Sequence, residues 1–353
     1  VSVDLGVLLF AVMIMVGASL IFGLAPAAQV LRHNRQPIIN EGRGGPAINR
    51  GGRLRNALVV AEVAASLLLV IATGLVIRTF VDLNSVDPGF EPKGLLAAHV
   101  VLPESAYNQD DVIVDFQSRT LEKLRSLPGV QSASAVLTFP MHWNISGNLG
   151  YVVEGRSEDD ENSPAGGYQV VGTEYFRTMG IPLLRGRSFD EGDVDGAPRV
   201  ALVNRATAER YWPNGDPVGT RISWGRDEED NRIWVTIVGV VDDAHVEGLD
   251  LPPRPETYLP FAQEPFRYMT LVLRTDGDPA SCATSLRQAV VEVDPDQPVS
   301  GLMTAEEVLS TELAHRRFNM MLMGLFAGVA VLLVSVGLYG MLSFNVSRRR
   351  HEI

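Results

Sequence analysis

FNMMLMGLFAGVAVLLVSVGLYGMLSFNVS, residues 318–347, has no Asp, Glu, Lys or Arg in 30 positions. About 20 apolar residues suffice for a helix to cross a bilayer, so this stretch predicts a membrane span. Two more stretches read the same way. Residues 5–31 are uncharged over 27 positions, and the 22 residues between Arg55 and Arg78 carry a single charge, Glu62. Between the second and third stretches the composition changes sharply. Residues 79–316 hold 38 acidic and 19 basic residues, whereas the rest of the 353-residue chain holds 4 acidic and 11 basic. An acidic domain between apolar spans predicts two environments, one on each side of a membrane.

Basic residues beside spans mark the cytoplasmic side. The Gly-rich linker 32–55 holds Arg32, Arg35, Arg43, Arg50, Arg53 and Arg55 against Glu41 alone, and Arg348, Arg349 and Arg350 follow the last span. Both clusters are expected inside, which puts the acidic domain outside. Glu62, about two turns into the second span, reads as an interfacial carboxylate helped by the helix dipole and Arg55. Residues 1–31 lack the basic start of a signal peptide and have too long an apolar run. Val1 is not Met and Ile353 lies just past a span, so a piece of a longer polytopic protein is expected.

Within the domain, two segments share one pattern. LLAAHVV (95–101) reads as a strand. A helix follows over 110–126, with Val112, Ile113, Phe116, Leu121 and Leu124 at helical spacing. A second strand lies in LPGVQSASAVL (127–137). Near the far end, MTLVLR (269–274) reads as a strand. Asp278 caps and Pro279 opens a helix carrying Cys282, Leu286, Val290 and Val293 on one face, and DPDQPVSGL (294–302) returns as a strand. Two such units predict a split ferredoxin-like α/β sandwich formed by 90–149 and 266–303. The piece between them, 150–265, reads as an inserted β-rich subdomain, with strands at 199–203 and 233–241, a short helix before Pro213, and a solvated hairpin tip at Asp227–Asp230. Thr304 and Glu307 form a capping box. It starts a stalk helix, 304–317, that leads through His315, Arg316 and Arg317 into the span 318–347. The fold class expected is therefore α-helical transmembrane spans (1–31, 56–80 and 318–347) plus an extracytoplasmic α+β domain, 81–316.

Motifs that carry chemistry are missing. There is no GxxxxGK(S/T) phosphate loop, no HExxH and no GxSxG. Glu191–Gly196 (EGDVDG) resembles a calcium loop but starts on Glu191 and puts Leu202 where a bidentate Glu is required. Cys282 is the single cysteine, which leaves no internal disulfide and no CxxC metal site. His99 reads as strand packing, and Trp143, Trp212, Trp224 and Trp234 as packing anchors. No catalytic residues, cofactor, metal site or nucleic-acid surface is expected.

Several segments together resemble the MacB/FtsX-like permeases of ABC transporters, also described as mechanotransmission permeases. IFGLAPAAQVLR (21–32) resembles the end of one FtsX-like membrane unit. LRNALVVAEVAASLLLVIATGLVIRTF (54–80) resembles the opening span of the next. YFRTMGIPLLRGRSF (175–189), VNRATAERYWPNGDPVGTRI (203–222) and VTIVGVVDD (235–243) are similar to the family's MacB-like periplasmic core domain. SRRRHEI (347–353) resembles the start of its cytoplasmic coupling segment. The resemblance implies a duplicated permease, dimeric or pseudo-dimeric and in contact with membrane lipid. Its partner is a cytoplasmic ABC ATPase subunit, where ATP hydrolysis takes place, contacted through Arg348, Arg349, Arg350, His351, Glu352 and Ile353. A plain positive-inside anchor explains the same arginines. A periplasmic adaptor or outer-membrane channel is a further implied partner. The function implied is export or release of substrate by ATP-driven motion of the external domain. The alternative is a non-transporting transmitter that regulates an external partner such as a cell-wall hydrolase.

Overall fold

The computed structural model describes residues 86–142, 148–155, 165–226 and 230–349, together with 60, 64, 67–68, 70–75 and 77–78. The first expected span, the basic linker, Glu62, Trp143 and residues 350–353 lie outside the described residues. In chain order the elements are β1 (Leu95–Val101), α1 (Asp110–Arg125), β2 (Val130–Val136), β3 (Asn148–Gly150), β4 (Val152–Val153), β5 (Ala165–Val171), α2 (Tyr175–Met179), β6 (Leu183–Gly186) and β7 (Val200–Asn204). They continue with α3 (Arg205–Tyr211), β8 (Arg221–Ser223), β9 (Val235–Val241), β10 (Glu256–Pro260), β11 (Tyr268–Thr275), α4 (Ala283–Val293), β12 (Val299–Thr304) and α5 (Ala305–Arg349).

The strands form one sheet in the order β12-β1-β11-β2-β5-β10-β7-β9-β8-β4, with β3 on β5 and β6 on β9. β11 runs antiparallel between β1 and β2, so those two strands are parallel with a third strand between them. β12 closes the other side of β1. This is the split strand–helix–strand arrangement. β1 explains its own sequence. Leu96, Ala98 and Val100 face one apolar cluster with α1 and α4, while Leu95 and Ala97 face a second. A strand buried on both faces needs an unbroken apolar run. On α1 the buried stripe is Ile113, Phe116, Gln117, Thr120, Leu121 and Leu124. Val112 falls outside it, 37% exposed, because it sits about 100° round the helix from Ile113.

The middle segment is inserted in the chain but continues the same sheet. Its link to the split half is a single pair in the ladder, Val136 with Val171, flanked by Leu137 N donating to Val170 O (2.8 Å) and Gly172 N to Ala135 O (2.8 Å). β3 already pairs with β5, so the chain has joined the inserted strands by Asn148, ahead of the expected boundary at 150. The hairpin tip is bracketed by an Arg226–Arg232 bridge, and 227–229 lie outside the described residues.

Three local readings have direct counterparts. Asp278 accepts from Ala280 N (3.0 Å), although Pro279–Cys282 wind as a 3-10 turn before α4 begins. Thr304 N donates to Glu307 Oε2 (2.8 Å) and Glu307 N to Thr304 Oγ1 (3.1 Å), the reciprocal capping box. From there α5 runs unbroken for 45 residues, so the expected stalk and the stretch 318–347 are one helix. Among the described residues no helix is long and apolar enough to cross a membrane. Most side chains of 333–349 lie outside them.

One buried polar network organises the inserted half. Asn204 Oδ1 accepts from Thr207 N (3.0 Å), Thr207 Oγ1 (2.7 Å) and Glu256 N (2.9 Å), and its Nδ2 donates to Arg254 O (2.8 Å). The Glu256 carboxylate is 1% exposed. Its Oε1 accepts from Arg254 Nε (2.6 Å), and its Oε2 has no partner among the described residues. Burial pushes its pKa up to about 7, against the opposing pull of Arg254.

Two predictions follow from these contacts. The folded chain holds a proton on Glu256 that the unfolded chain has lost between its ordinary pKa of 4.5 and the folded value of about 7. Stability is therefore expected to fall as pH rises through that window, by at most about 1.4 kcal/mol per pH unit for one proton. Glu256→Gln should flatten that slope in pH-dependent thermal melts; an unchanged slope would refute the assignment. At the head of α5, Thr304→Ala should cost about 1 kcal/mol in denaturant unfolding. Adding Glu307→Ala should cost less than a second full increment, because both changes break one reciprocal pair.

Candidate functional site

The chain reaches the domain along a lead-in segment, residues 86–94, and leaves it along α5. Both ends are buried in the same apolar cluster. Phe90 comes from the lead-in, Ala305 and Val308 from α5, Leu95 and Phe139 from the split half, and Tyr175, Phe176, Met179 and Tyr258 from the inserted half. Aromatic rings meet edge to face. Phe90 stands against Phe139 at 6.0 Å and 78°, and Phe176 against Tyr258 at 5.0 Å and 81°, the geometry ring quadrupoles favour. Fully burying one such side chain is worth about 1.5–3 kcal/mol, so the cluster holds both ends of the chain firmly.

Backbone bonds secure the lead-in further. Glu91 N donates to Met179 O (2.9 Å), and His245 N donates to Pro88 O (2.9 Å). Gly89 makes the second contact possible. Its φ is +81°, and a Cβ there would lie 2.0 Å from Asp243 O, so a side chain at this position would force the segment away from the 243–245 loop.

The lead-in follows helical residues. Of the positions described between 60 and 78, all are helical. Thr73 Oγ1 donates to Met323 O of α5 (3.3 Å); Thr73 and Ala327 are buried there. Large apolar side chains elsewhere on both stretches are exposed, among them Leu67, Leu68, Ile71, Phe318, Leu325, Phe326 and Leu332.

A cleft of about 770 Å³ opens beside the narrow Val136–Val171 joint. α1 lines it with Val114, Gln117, Ser118 and Leu121, and the inserted half with Thr173, Glu174, Phe189–Val194 and Phe261. The calcium-like loop forms part of this wall. Asp193 Oδ1 and Oδ2 accept from Arg187 (2.8 and 2.7 Å), and Oδ2 also from Asp190 N (2.9 Å). Burial pushes the Asp193 pKa up, but Arg187 and the Asp190 amide outweigh it and hold the carboxyl below its ordinary value. A guanidinium thus occupies the place that a cation would need. Among the described residues no group of three His, Cys, Asp or Glu side chains is placed to hold a metal ion.

His99 is a packed residue of β1. Thr270 Oγ1 lies 2.9 Å from its Nδ1, and His142 stacks on it at 5.6 Å and 12°. Burial, then the neighbouring His142, lowers the His99 pKa. Burial also lowers that of His142. Gly301, at φ +57° opposite the irregular register of β1 and β12, leaves room for this ring; a Cβ would lie 2.4 Å from His99 Cδ2. Trp212 is buried and Trp224 packs on the same cluster, while Arg221 covers the ring of Trp234 at 5.6 Å.

Of the expected ATPase-coupling residues, Arg348 and Arg349 are the last two residues of α5; Arg350, His351, Glu352 and Ile353 lie outside the described residues. The buried junction of lead-in and α5 has no local signature, because its members run from Phe90 to Val308. The capping box and Gly89-Phe90 after Pro88 are its nearest sequence signals.

The family model of the MacB-like periplasmic core domain matches residues 57–297. Among curated relatives, the chain is similar to "Macrolide export ATP-binding/permease protein MacB 2" of Aeromonas hydrophila subsp. hydrophila. The two are 31% identical over 131 residues, which cover 37% of this chain and 17% of that protein. It is also similar to "Macrolide export ATP-binding/permease protein MacB" of Chromobacterium violaceum, 23% identical over 192 residues, 52% of this chain and 28% of that protein. The chain thus spans less than a third of the length of either relative. Among solved structures, the periplasmic region of MacB from Actinobacillus actinomycetemcomitans matches with a TM-score of 0.43 and 16% identity, over 63% of this chain and 94% of that one. The extracellular domain of the noncanonic ABC-type transporter YknZ from Gram-positive bacteria matches with a TM-score of 0.37 and 14% identity, over 58% and 100%. With the family model spanning 57–297, the chain belongs to the ABC transporter permeases that carry a MacB-like periplasmic core domain.

Proposed function

We propose that this chain carries ATP-driven motion of membrane helices into an extracytoplasmic domain, as part of an exporter. The observation that carries the reading is the shared junction. The lead-in and α5 end in one buried cluster, and α5 continues from that cluster to Arg349 without a break. At 1.5 Å per residue the helix is about 68 Å long, more than a bilayer's hydrocarbon core of about 30 Å. A lever of that length delivers displacement at one end to the packing at the other.

On this reading residues 5–31, 56–80 and 318–347 cross the inner membrane, and the acidic domain lies outside. The exposed apolar side chains around Leu68, Ile71, Phe318 and Phe326 are the ones lipid covers. The small residues Thr73 and Ala327 are buried, and Thr73 Oγ1 donates to Met323 O, the means available to helices within lipid. On this reading ATP is hydrolysed by an ABC ATPase subunit docked at Arg348–Ile353; the relatives are named ATP-binding/permease proteins. The relatives are named for macrolide export, which favours export over signalling to an external hydrolase. An adaptor or outer-membrane channel would then meet the domain's outer surface, and the permease would work as a dimer or pseudo-dimer.

Two measurements test this. With Cys282 replaced, a cysteine at Glu209 should react with an impermeant thiol reagent added outside intact cells. A cysteine at Gly44 should react only after permeabilisation. The reverse pattern would overturn the orientation. Replacing Arg348, Arg349 and Arg350 by Ala in the intact protein should abolish ATPase co-purification and transport while the domain still folds. Retained co-purification and transport would leave these residues as membrane anchors alone.

A further inference from the structure

We infer that Arg274 is a positioning residue that locks the lead-in segment to both halves of the domain, so that displacement of the preceding helix reaches the two halves together. The inference rests on the mechanical reading above. Its observation is the hydrogen bonding of one guanidinium. Arg274 belongs to β11, opposite Leu95 of β1 in the split half. Its Nε donates to Thr178 O (2.7 Å), in the last turn of α2 of the inserted half. Its Nη1 donates to Lys93 O (2.9 Å) and its Nη2 to Glu91 O (2.9 Å), both in the lead-in. One side chain therefore joins three parts of the chain that are remote in sequence.

The chemistry suits that task. A helix end leaves its last carbonyls without intrahelical donors, and a cation there is favoured by the backbone dipoles. All three acceptors are backbone carbonyls, so the clamp reads the path of the chain and not the identity of any side chain. The planar guanidinium presents its donors from three nitrogens held in a fixed fork, far enough apart to reach three separate carbonyls; a lysine ammonium has its three donors on one nitrogen at the end of a flexible stem.

The location matters because the halves meet through apolar packing and a short stretch of shared sheet. Among the described residues the sheet crosses between them at the ladder pair Val136–Val171 and its two flanking backbone bonds, with Thr138 and Gln169 side chains bonded beside it. The cleft of about 770 Å³ lies along that joint. Apolar packing is non-directional, so hydrogen bonds that fix the path of the lead-in across this joint add a directional restraint. Arg274 and the Glu91–Met179 backbone bond span the joint from the lead-in side. Pulling on the lead-in then loads β11 and α2 simultaneously, and the cleft keeps its shape as the domain moves.

The test uses the intact transporter in nanodiscs, with spin labels and pulsed electron resonance distances. A label pair at the exposed Arg119 and Glu209 spans the two halves. A second pair, Ile71 and Glu209, spans helix and domain. In the native protein ATP should shift the Ile71–Glu209 distance and leave the Arg119–Glu209 distance unchanged in centre and width. In Arg274→Met the Arg119–Glu209 distribution should broaden and become ATP-dependent, and the Ile71–Glu209 shift should shrink, at unchanged basal ATPase activity. Arg274→Lys keeps the charge and the stem without the fork, should show the same loss of rigid coupling, and decides the question alone if the Met variant does not fold. Native behaviour of both pairs in Arg274→Lys would overturn the inference while leaving the mechanical reading intact. No ATP-dependent shift of Ile71–Glu209 in the native protein would instead overturn the mechanical reading, and this inference with it.

Discussion

The domain depends on the burial of both faces of its central strands. β1 directs Leu96, Ala98 and Val100 into one cluster and Leu95 and Ala97 into the other. β11 does the same with Met269, Leu271 and Leu273 against Val272. A one-residue slip would exchange the two sets, so the register is fixed twice over. The helices α1 and α4 cover only one face. The other is covered by Tyr175, Phe176, Met179 and Tyr258 of the inserted half and by Phe90, Ala305 and Val308 from the chain's two connections. The split α/β half therefore has a complete core only when the inserted half and both connections are packed on it.

That constraint explains what the sequence revealed and what it hid. The strand Leu95–Val101 was legible to the residue because two-sided burial leaves an unbroken apolar run, and Thr304 and Glu307 were legible because a capping box is a local pattern. Asp278 and Pro279 announced a helix start, although a 3-10 turn precedes the α-helix. Pairings across distance had no such marker. Nothing local to Val136 or Val171 says that the inserted strands would extend the first sheet instead of forming their own. Glu256 opens a strand whose carboxylate a simple polar-outward reading would turn to solvent, yet the residue is 1% exposed, its carboxylate bonded by Arg254 and its backbone N–H donating to Asn204. Arg274 looks like the polar end of a strand. Its role depends on where Glu91, Lys93 and Thr178 direct their carbonyls, which only the folded chain determines.

The acidic excess does not hold the fold together. Most ion pairs here are half-exposed at both partners, as in Lys123–Glu292, Arg221–Glu154 and Arg199–Glu264, and such pairs are worth about 0–1 kcal/mol. Their neighbours' carboxylates are spread over a solvated surface, where a large net charge acts on solubility and on encounter with partners. Arg187 with Asp193 differs. The carboxylate side chain is 7% exposed and is bonded by two guanidinium nitrogens and one backbone amide. It stiffens one wall of the cleft, which is why an acid-rich loop in the sequence is a structural corner in the fold.

Rigidity and freedom are unevenly distributed along the two helical connections. At the domain end, the lead-in and α5 are fixed by Phe90, Val308, the capping box and the close approach at Gly89. Farther along, Thr73 Oγ1 of the helical residues before the lead-in donates to Met323 O of α5 (3.3 Å), beside the buried Ala327. Packed apolar cores do not deform continuously. On the mechanical reading, the cluster around Phe90 and Val308 therefore moves as a unit. On that reading the domain answers the helices as one body to the extent that the lead-in is tied to both of its halves.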